Sequence, residues 1–385
     1  MNIYRRYFFK IFEKVKVQNT LAIPVKTFTN GSLNGDATVR KTRLVKRLVA
    51  AVLFSGTLGI AVYVKHKKIE NLRSLLENCK RLPDDPNYGD KAGDRFLYNG
   101  YVLHGEMIKN GTIRDVKNFE FRPQDVVVAS FPKSGTTWLE EIVFLIQTHL
   151  DFKLAASTIL ESRFPYLEYP YPGLKSIAKQ QGGRMIKTHL PLSLLPDDLL
   201  QKGTKVIYIM RNPKDVAVSY YHFFRLLSFV NYKGEFRDFL KSFMKNEVVY
   251  TPYFPHVLEY WNNRDNPNLL VVHFEEMKKD PETVVQKISN FLGKDLTYDE
   301  VRMIVEHTRF ENMAINPSVN YSHWEDLGLV NKNEGKFFRK GAVGDWQNYF
   351  SEDLNRDFDS WISQNLENTK LAFIFADTTE DKHKK

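Results

Sequence analysis

The segment Asp125-Val-Val-Val-Ala-Ser-Phe-Pro-Lys-Ser-Gly-Thr-Thr-Trp138 constrains this chain most. A short apolar run that stops at a turn reads as a buried strand, and the residues after the turn read as a helix. Strand-like runs recur at 125–131, 184–188, 204–210 and 268–274, and helical runs at 136–149, 214–227, 281–292 and 297–306. That alternation predicts an α/β fold: a single domain with a central parallel sheet flanked by helices, in which ligands bind at the carboxyl ends of the strands.

The turn itself points to an anion. The free amides of a helix's first turn, at the positive end of its dipole, form an anion site. Gly135 lets the backbone approach, hydroxyls add donors and Lys133 adds a point charge. This is a P-loop-like phosphate-binding strand–loop–helix. It is not the Walker pattern, because the lysine precedes the glycine. Two more strands end in groups of the same kind. Met185-Ile-Lys-Thr-His-Leu-Pro191 places Lys187 and His189 just past a strand end. Tyr208-Ile-Met-Arg-Asn-Pro puts Arg211 at another, with Ser219 two turns into the next helix. Phe337-Phe-Arg-Lys-Gly-Ala-Val-Gly-Asp-Trp346 is a basic loop whose Arg339 can clamp a phosphate bidentately. No His-x-x-x-His or Asp-x-Asp constellation accompanies these residues, so no metal is expected. A Mg²⁺-dependent kinase is disfavoured for the same reason and by the reversed lysine order.

Composition bounds the rest. The 385 residues are 43% hydrophobic and 14% aromatic, enough for a substantial core, and the single cysteine excludes an internal disulfide or a cysteine metal cluster. The net charge of +9 is concentrated: residues 1–47 carry 11 Lys/Arg against Glu13 and Asp36, which accounts for all of it. A neutral remainder argues against nucleic acid as the partner, since that needs a basic face tracking phosphates.

The predicted organisation is a basic tail at 1–47, a transmembrane helix at 48–64, a linker at 65–84 with a helical stretch at 69–82, a catalytic domain at 85–375 and a charged tail at 376–385. The tail's pattern suits a helix lying on a membrane, a mitochondrial presequence or an unstructured extension. The uncharged run Leu-Val-Ala-Ala-Val-Leu-Phe-Ser-Gly-Thr-Leu-Gly-Ile-Ala-Val-Tyr-Val is near the lower length limit for a ~30 Å hydrocarbon core. It reads as a membrane tether with the catalytic domain facing the cytoplasm; a buried helix or part of a targeting signal are the alternatives. Cytoplasmic or mitochondrial placement would follow from those.

Four segments together match a family: FPKSGTTW (131–138), KTHLP (187–191), RNPKDVAVSYYHF (211–223) and FRKGAVGDW (338–346). In this order and spacing the chain resembles the cytosolic-type sulfotransferases, over roughly residues 85–375. These enzymes move a sulfuryl group from 3′-phosphoadenosine 5′-phosphosulfate (PAPS) to a hydroxyl or amine. The resemblance implies that Lys133, Ser134, Gly135, Thr136 and Thr137 hold the 5′-phosphosulfate and that Trp138 stacks on adenine. Arg211, Ser219 and the loop Phe338, Arg339, Lys340 and Gly341 would bind the 3′-phosphate. Thr308, Phe310 and Phe274 would lie near the adenine end. His189 would be the general base, with Lys133 and Lys187 as catalytic cations. Tyr166, Tyr169, Lys187, His189, Tyr221, His222 and Phe223 would face a small apolar hydroxylated acceptor such as a phenol, steroid or alcohol. Two departures matter. Phe274 stands where the family often has tyrosine, and Gln347, Ser351-Glu352 and Arg356 replace its dimer motif, which argues against the usual homodimer. A competing expectation is a catalytically silent, membrane-tethered protein that binds PAPS or its product PAP without turnover.

Overall fold

The computed structural model of the protein describes residues 79–90 and 92–375. The basic tail at 1–47, the apolar run at 48–64, most of the 65–84 linker and the tail at 376–385 lie outside the described residues. Within them, no helix is long and apolar enough to cross a membrane.

A small antiparallel sheet opens the described chain: β1 (Cys79–Arg81), β2 (Arg95–Tyr98) and β3 (Tyr101–His104). The end of the expected helical linker is therefore a strand. Cys79 to Arg81 pair with Tyr98 to Phe96, so cross-strand hydrogen bonds decide the conformation there and local propensity does not. The main sheet holds β4 (Val126–Ser130), β5 (Met185–Thr188), β6 (Lys205–Met210) and β7 (Leu269–His273). Its order is β5-β4-β6-β7 with every pair parallel, so the chain reverses its direction of growth at β4, between β5 and β6. In such sheets the crevice beyond the strand ends at the reversal is the ligand site.

All five residues of β4 are buried, as a strand covered on both faces requires. The helices that matter are α1 (Thr136–Gln147), α2 (Pro213–Leu226), α3 (Phe236–Met244), α4 (Tyr253–Asn262), α5 (Pro281–Phe291), α6 (Tyr298–His307) and α7 (Glu352–Leu366). Their starts are encoded locally. Asn212 accepts the Asp215 N–H with Pro213 at the first turn, Asp280 does the same for Thr283 before Pro281, and Thr297 with Glu300 forms a capping box. On one side of the sheet Val126, Val128, Ile207 and Ile209 join Leu139, Ile142, Val285, Ile288 and Ile304 in a single apolar core. On the other, aromatic rings do the packing. Tyr208 stacks on Tyr260 at 4.0 Å, and Phe131 meets Tyr220, Phe243, Tyr253 and His256 edge-on at 5.0–5.9 Å.

Candidate active site

The β4–α1 turn is built by two residues in left-handed backbone, Lys133 (φ 69°) and Gly135 (φ 105°). Gly135 is required twice over: a Cβ there would sit 2.6 Å from Cδ2 of Phe274 and 3.1 Å from Cδ1 of Ile209. No side chain caps α1, so its leading amides are available to an anion. Ser134 is fully buried, yet its Oγ has no hydrogen-bond partner among the described residues, and neither does Nε1 of Trp138. A folded protein rarely strands buried donors, so both fit a ligand that accepts from them.

Cations from four elements meet at this rim. Nζ of Lys133 lies 4.3 Å from the Phe223 ring centre and 4.0 Å from that of Phe337. Burial, reinforced by the charges of Lys187, Arg211 and Arg339, pushes the Lys133 ammonium down to a pKa of about 7. Arg211 donates to the Ala342 carbonyl at 2.8 Å and lies 4.2 Å over Phe274, and its buried Nε has no hydrogen-bond partner among the described residues. Arg339 and Lys340 each reach a separate oxygen of Asp345 at 2.6 Å. Burial opposes the Asp345 charge, but donation from Lys340, Asn348 and Arg339 holds the carboxyl at about 2. This loop is pinned from α2, because Asp215 accepts the Gly344 and Trp346 amides at 2.8 and 2.9 Å. Lys133, Lys187, Arg211 and Arg339 act on one another here, and the orphaned donors among them fit a ligand carrying several negative charges.

The aromatic end is equally specific. Trp138 meets Phe274 edge-on at 5.8 Å, and Phe310 lies 5.8 Å from Phe338. Gly341 has φ 60°, and any Cβ there would collide with Phe310. Thr308 is buried and spends its hydroxyl on the Ile304 carbonyl at 2.8 Å. Ser219 is half-buried on α2.

His189 follows β5, beside this rim. Its Nδ1 is 2.9 Å from the Ser130 carbonyl oxygen, which can only accept. Nδ1 therefore carries the proton and Nε2 keeps its lone pair. The Ser130 hydroxyl lies 3.1 Å from Nδ1 and 2.7 Å from Oγ1 of Thr136, which ties the imidazole to the first turn of α1. Burial, with the Lys187 charge beside it, holds the His189 pKa well below the usual histidine value, so the ring is neutral at physiological pH.

The residues that fix His189 were not evident from the sequence. Glu168, fully buried, accepts the His189 amide at 2.6 Å and the Thr188 hydroxyl at 2.9 Å. Burial raises its carboxyl to about 7. His256 donates from Nε2 to the His189 carbonyl at 2.9 Å, while its Nδ1 accepts the Tyr208 hydroxyl, also at 2.9 Å. The only sequence signal for Glu168 was a carboxylate set inside the aromatic run Phe164-Pro-Tyr-Leu-Glu-Tyr169.

The expected acceptor residues divide. Tyr166 meets the His189 ring edge-on at 5.2 Å and packs at a tilt on Tyr169 at 4.2 Å, and its hydroxyl lies 3.0 Å from that of Tyr250. The three α2 residues spread around their helix. Tyr221 packs on Tyr232, Phe236 and Phe239 in the core, His222 packs on Tyr349, and Phe223 lies under Lys133. A helix turns about 100° per residue, so adjacent side chains cannot share a face. Tyr220 is the α2 ring that reaches Phe131, at the start of the loop. Among the described residues no group of three metal-ligating side chains gathers.

The family model for the sulfotransferase domain matches residues 123–370. The chain belongs to the sulfotransferase family. Dog sulfotransferase 1B1 is 37% identical over 282 residues, covering 72% of this chain and 94% of that protein. Among solved structures, retinol dehydratase in complex with retinol and PAP superposes with a TM-score of 0.68 at 30% identity, covering 77% of this sulfotransferase and 99% of that chain. The same enzyme with androsterone and the inactive cofactor PAP gives the same score and identity, over 98% of its length.

Proposed function

We propose that this sulfotransferase moves the sulfuryl group of PAPS to the hydroxyl of a small apolar acceptor, with His189 as general base. The observation that carries the reading is the His189 tautomer. Its Nδ1–H is committed to the Ser130 carbonyl, which leaves a neutral Nε2 beside Lys187 and the β4–α1 turn.

PAPS supplies the sulfuryl group and the leaving phosphate; the chain holds and polarises. The first-turn amides, Ser134, Thr136, Thr137 and Lys133 suit the 5′ end, and Arg211, Ser219 and residues 339–341 suit the 3′-phosphate. Trp138, Phe274, Thr308, Phe310 and Phe338 form the adenine side. Nε2 of His189 takes the acceptor's hydroxyl proton, which is worth roughly 10²–10⁴-fold to such a step. Lys133 and Lys187 stabilise the charge that builds as the bridging oxygen departs. Tyr166, Tyr169 and Tyr250 give the acceptor an aromatic wall, in keeping with the apolar alcohols bound by retinol dehydratase.

Radiolabelled PAPS offered with a panel of phenols, sterols and long-chain alcohols tests this. Labelled product from the wild type, lost in His189→Ala while PAP still binds, is the expected result. PAP binding with no transfer to any acceptor would instead establish the silent binding protein. A cytoplasmic domain tethered through residues 48–64 is part of the proposal, and fractionation of the full-length chain checks it.

A further inference from the structure

Two adjacent carboxylates on α1 have opposite surroundings. Glu141 is fully buried and fully paired, receiving Arg163 at 2.6 Å and Nε2 of His307 at 2.9 Å. Glu140 is 1% exposed, and among the described residues the one cation in ion-pair range of it is Nζ of Lys187, 3.4 Å from Oε1. That pair is too poorly aligned to be a hydrogen bond, so Oε1 has no hydrogen-bond partner among the described residues. Burying a carboxylate beside one loosely set partner is expensive, and its neighbours Leu139 and Ile142 already supply the packing of this helix.

The comparison with Lys133 shows what the carboxylate does. Both ammoniums sit at the same crowded rim. Lys133 faces two aromatic rings and three other cations, and its proton is weakly held. Lys187 is buried too, but the negative charge of Glu140, joined by Tyr321 and Glu161, outweighs that burial, and its pKa lies above the ordinary lysine value. Glu161, Glu168 and Tyr321 also act on Lys187, as do His189 and Lys133 from its other neighbours. Arg163 and Glu161 act on Glu140.

We propose that Glu140 is a positioning residue for the transfer reaction, anchoring Lys187 as an ammonium directed at the transferring group. The inference rests on the sulfuryl-transfer reading above. The looseness of the pair is part of the device. An aligned, bidentate partner would hold the ammonium hydrogens to itself, whereas a 3.4 Å ion pair supplies charge and leaves those hydrogens to meet negative charge as it develops.

The test is kcat against pH at saturating PAPS, from about pH 6 to 10, for wild type, Glu140→Gln, Glu140→Asp and the double variant Glu140→Gln with Lys187→Arg. Glu140→Gln is expected to bring the Lys187 limb, which in the wild type lies above this range, down into it, lowering kcat at pH 10 by about threefold or more while leaving pH 7 little changed. PAP affinity should stay within about threefold, since the cofactor's own ligands are untouched. Aspartate should recover part of the loss, and the double variant, whose guanidinium cannot deprotonate, should lose the shifted limb. An unchanged limb in Glu140→Gln overturns the proposal, whether kcat is retained or falls equally at every pH. If glutamine prevents folding, the aspartate variant's limb decides by the same criterion. A wild-type chain that binds PAP but transfers nothing removes the parent reading instead.

Discussion

Replacing Gly135 by alanine should damage the cofactor loop by an amount the structure allows to be worked out. At φ 105° an L-residue incurs about 1–2 kcal/mol of backbone strain. The new Cβ would lie 2.6 Å from Phe274 Cδ2, well inside the ~3.5–4.0 Å of a comfortable carbon contact. Forcing a methyl into a packed site costs about 1–3 kcal/mol, so the total is about 2–5 kcal/mol. Against a usual stability of about 5–15 kcal/mol the protein stays folded. The displaced Phe274 ring also supports Arg211 at 4.2 Å and Trp138 at 5.8 Å, so PAP affinity should fall along with stability. Denaturant unfolding and calorimetric PAP titration of Gly135→Ala, Phe274→Ala and the double variant form a cycle. Phe274→Ala alone should cost about 3–5 kcal/mol. The pair should cost about 1–3 kcal/mol less than the sum, because the clash vanishes with the ring. Strict additivity, or a Gly135→Ala protein as stable as wild type, refutes the close-approach argument.

Three other outcomes are expected. Phe274→Tyr restores the hydroxyl that the family often carries at this position and should tighten PAP by about 0.5–1.5 kcal/mol, roughly two- to twelvefold in Kd; calorimetry reads it directly. Because the Lys133 pKa is about 7 without an anion, PAP affinity should weaken as pH rises above about 7, by up to about tenfold per unit, and Lys133→Arg should abolish that slope. Glu168 is raised from 4.5 to about 7 on folding, so its contribution to stability is complete below pH 4.5 and is lost as pH climbs to 7. Unfolding curves at several pH values should therefore show wild type gaining on Glu168→Gln as pH falls through that window, by up to about 1.4 kcal/mol per unit.

What the sequence disclosed and what it withheld follow from range. The four main strands were legible because parallel strands covered on both faces are written as unbroken apolar runs, and the helix starts because Asn212-Pro213, Asp280-Pro281 and Thr297 with Glu300 cap locally. The strand–turn–helix at the loop was legible because Lys133 through Trp138 are contiguous. Glu140, Glu168 and His256 were not. Each acts on Lys187 or His189 across a sequence gap that only the parallel sheet closes. The spread of Tyr221, His222 and Phe223 over different partners was not legible either: a motif gives residues in order, and a helix distributes them around its axis. The strand Cys79–Arg81 escaped notice because three half-polar residues have no pattern until their partner strand is in place.

The clamp of Asp215 on the Gly344 and Trp346 amides, with the Trp346 indole donating to the Phe375 carbonyl at 2.8 Å, has a consequence for biosynthesis. The far wall of the proposed nucleotide cradle leaves the ribosome long after the β4–α1 turn does. A nascent polypeptide already displaying its complete β4–α1 turn still lacks Arg339 and Lys340. PAP added during translation should therefore rescue finished chains that are slow to mature, and leave those arrested before residue 339 unprotected from proteolysis.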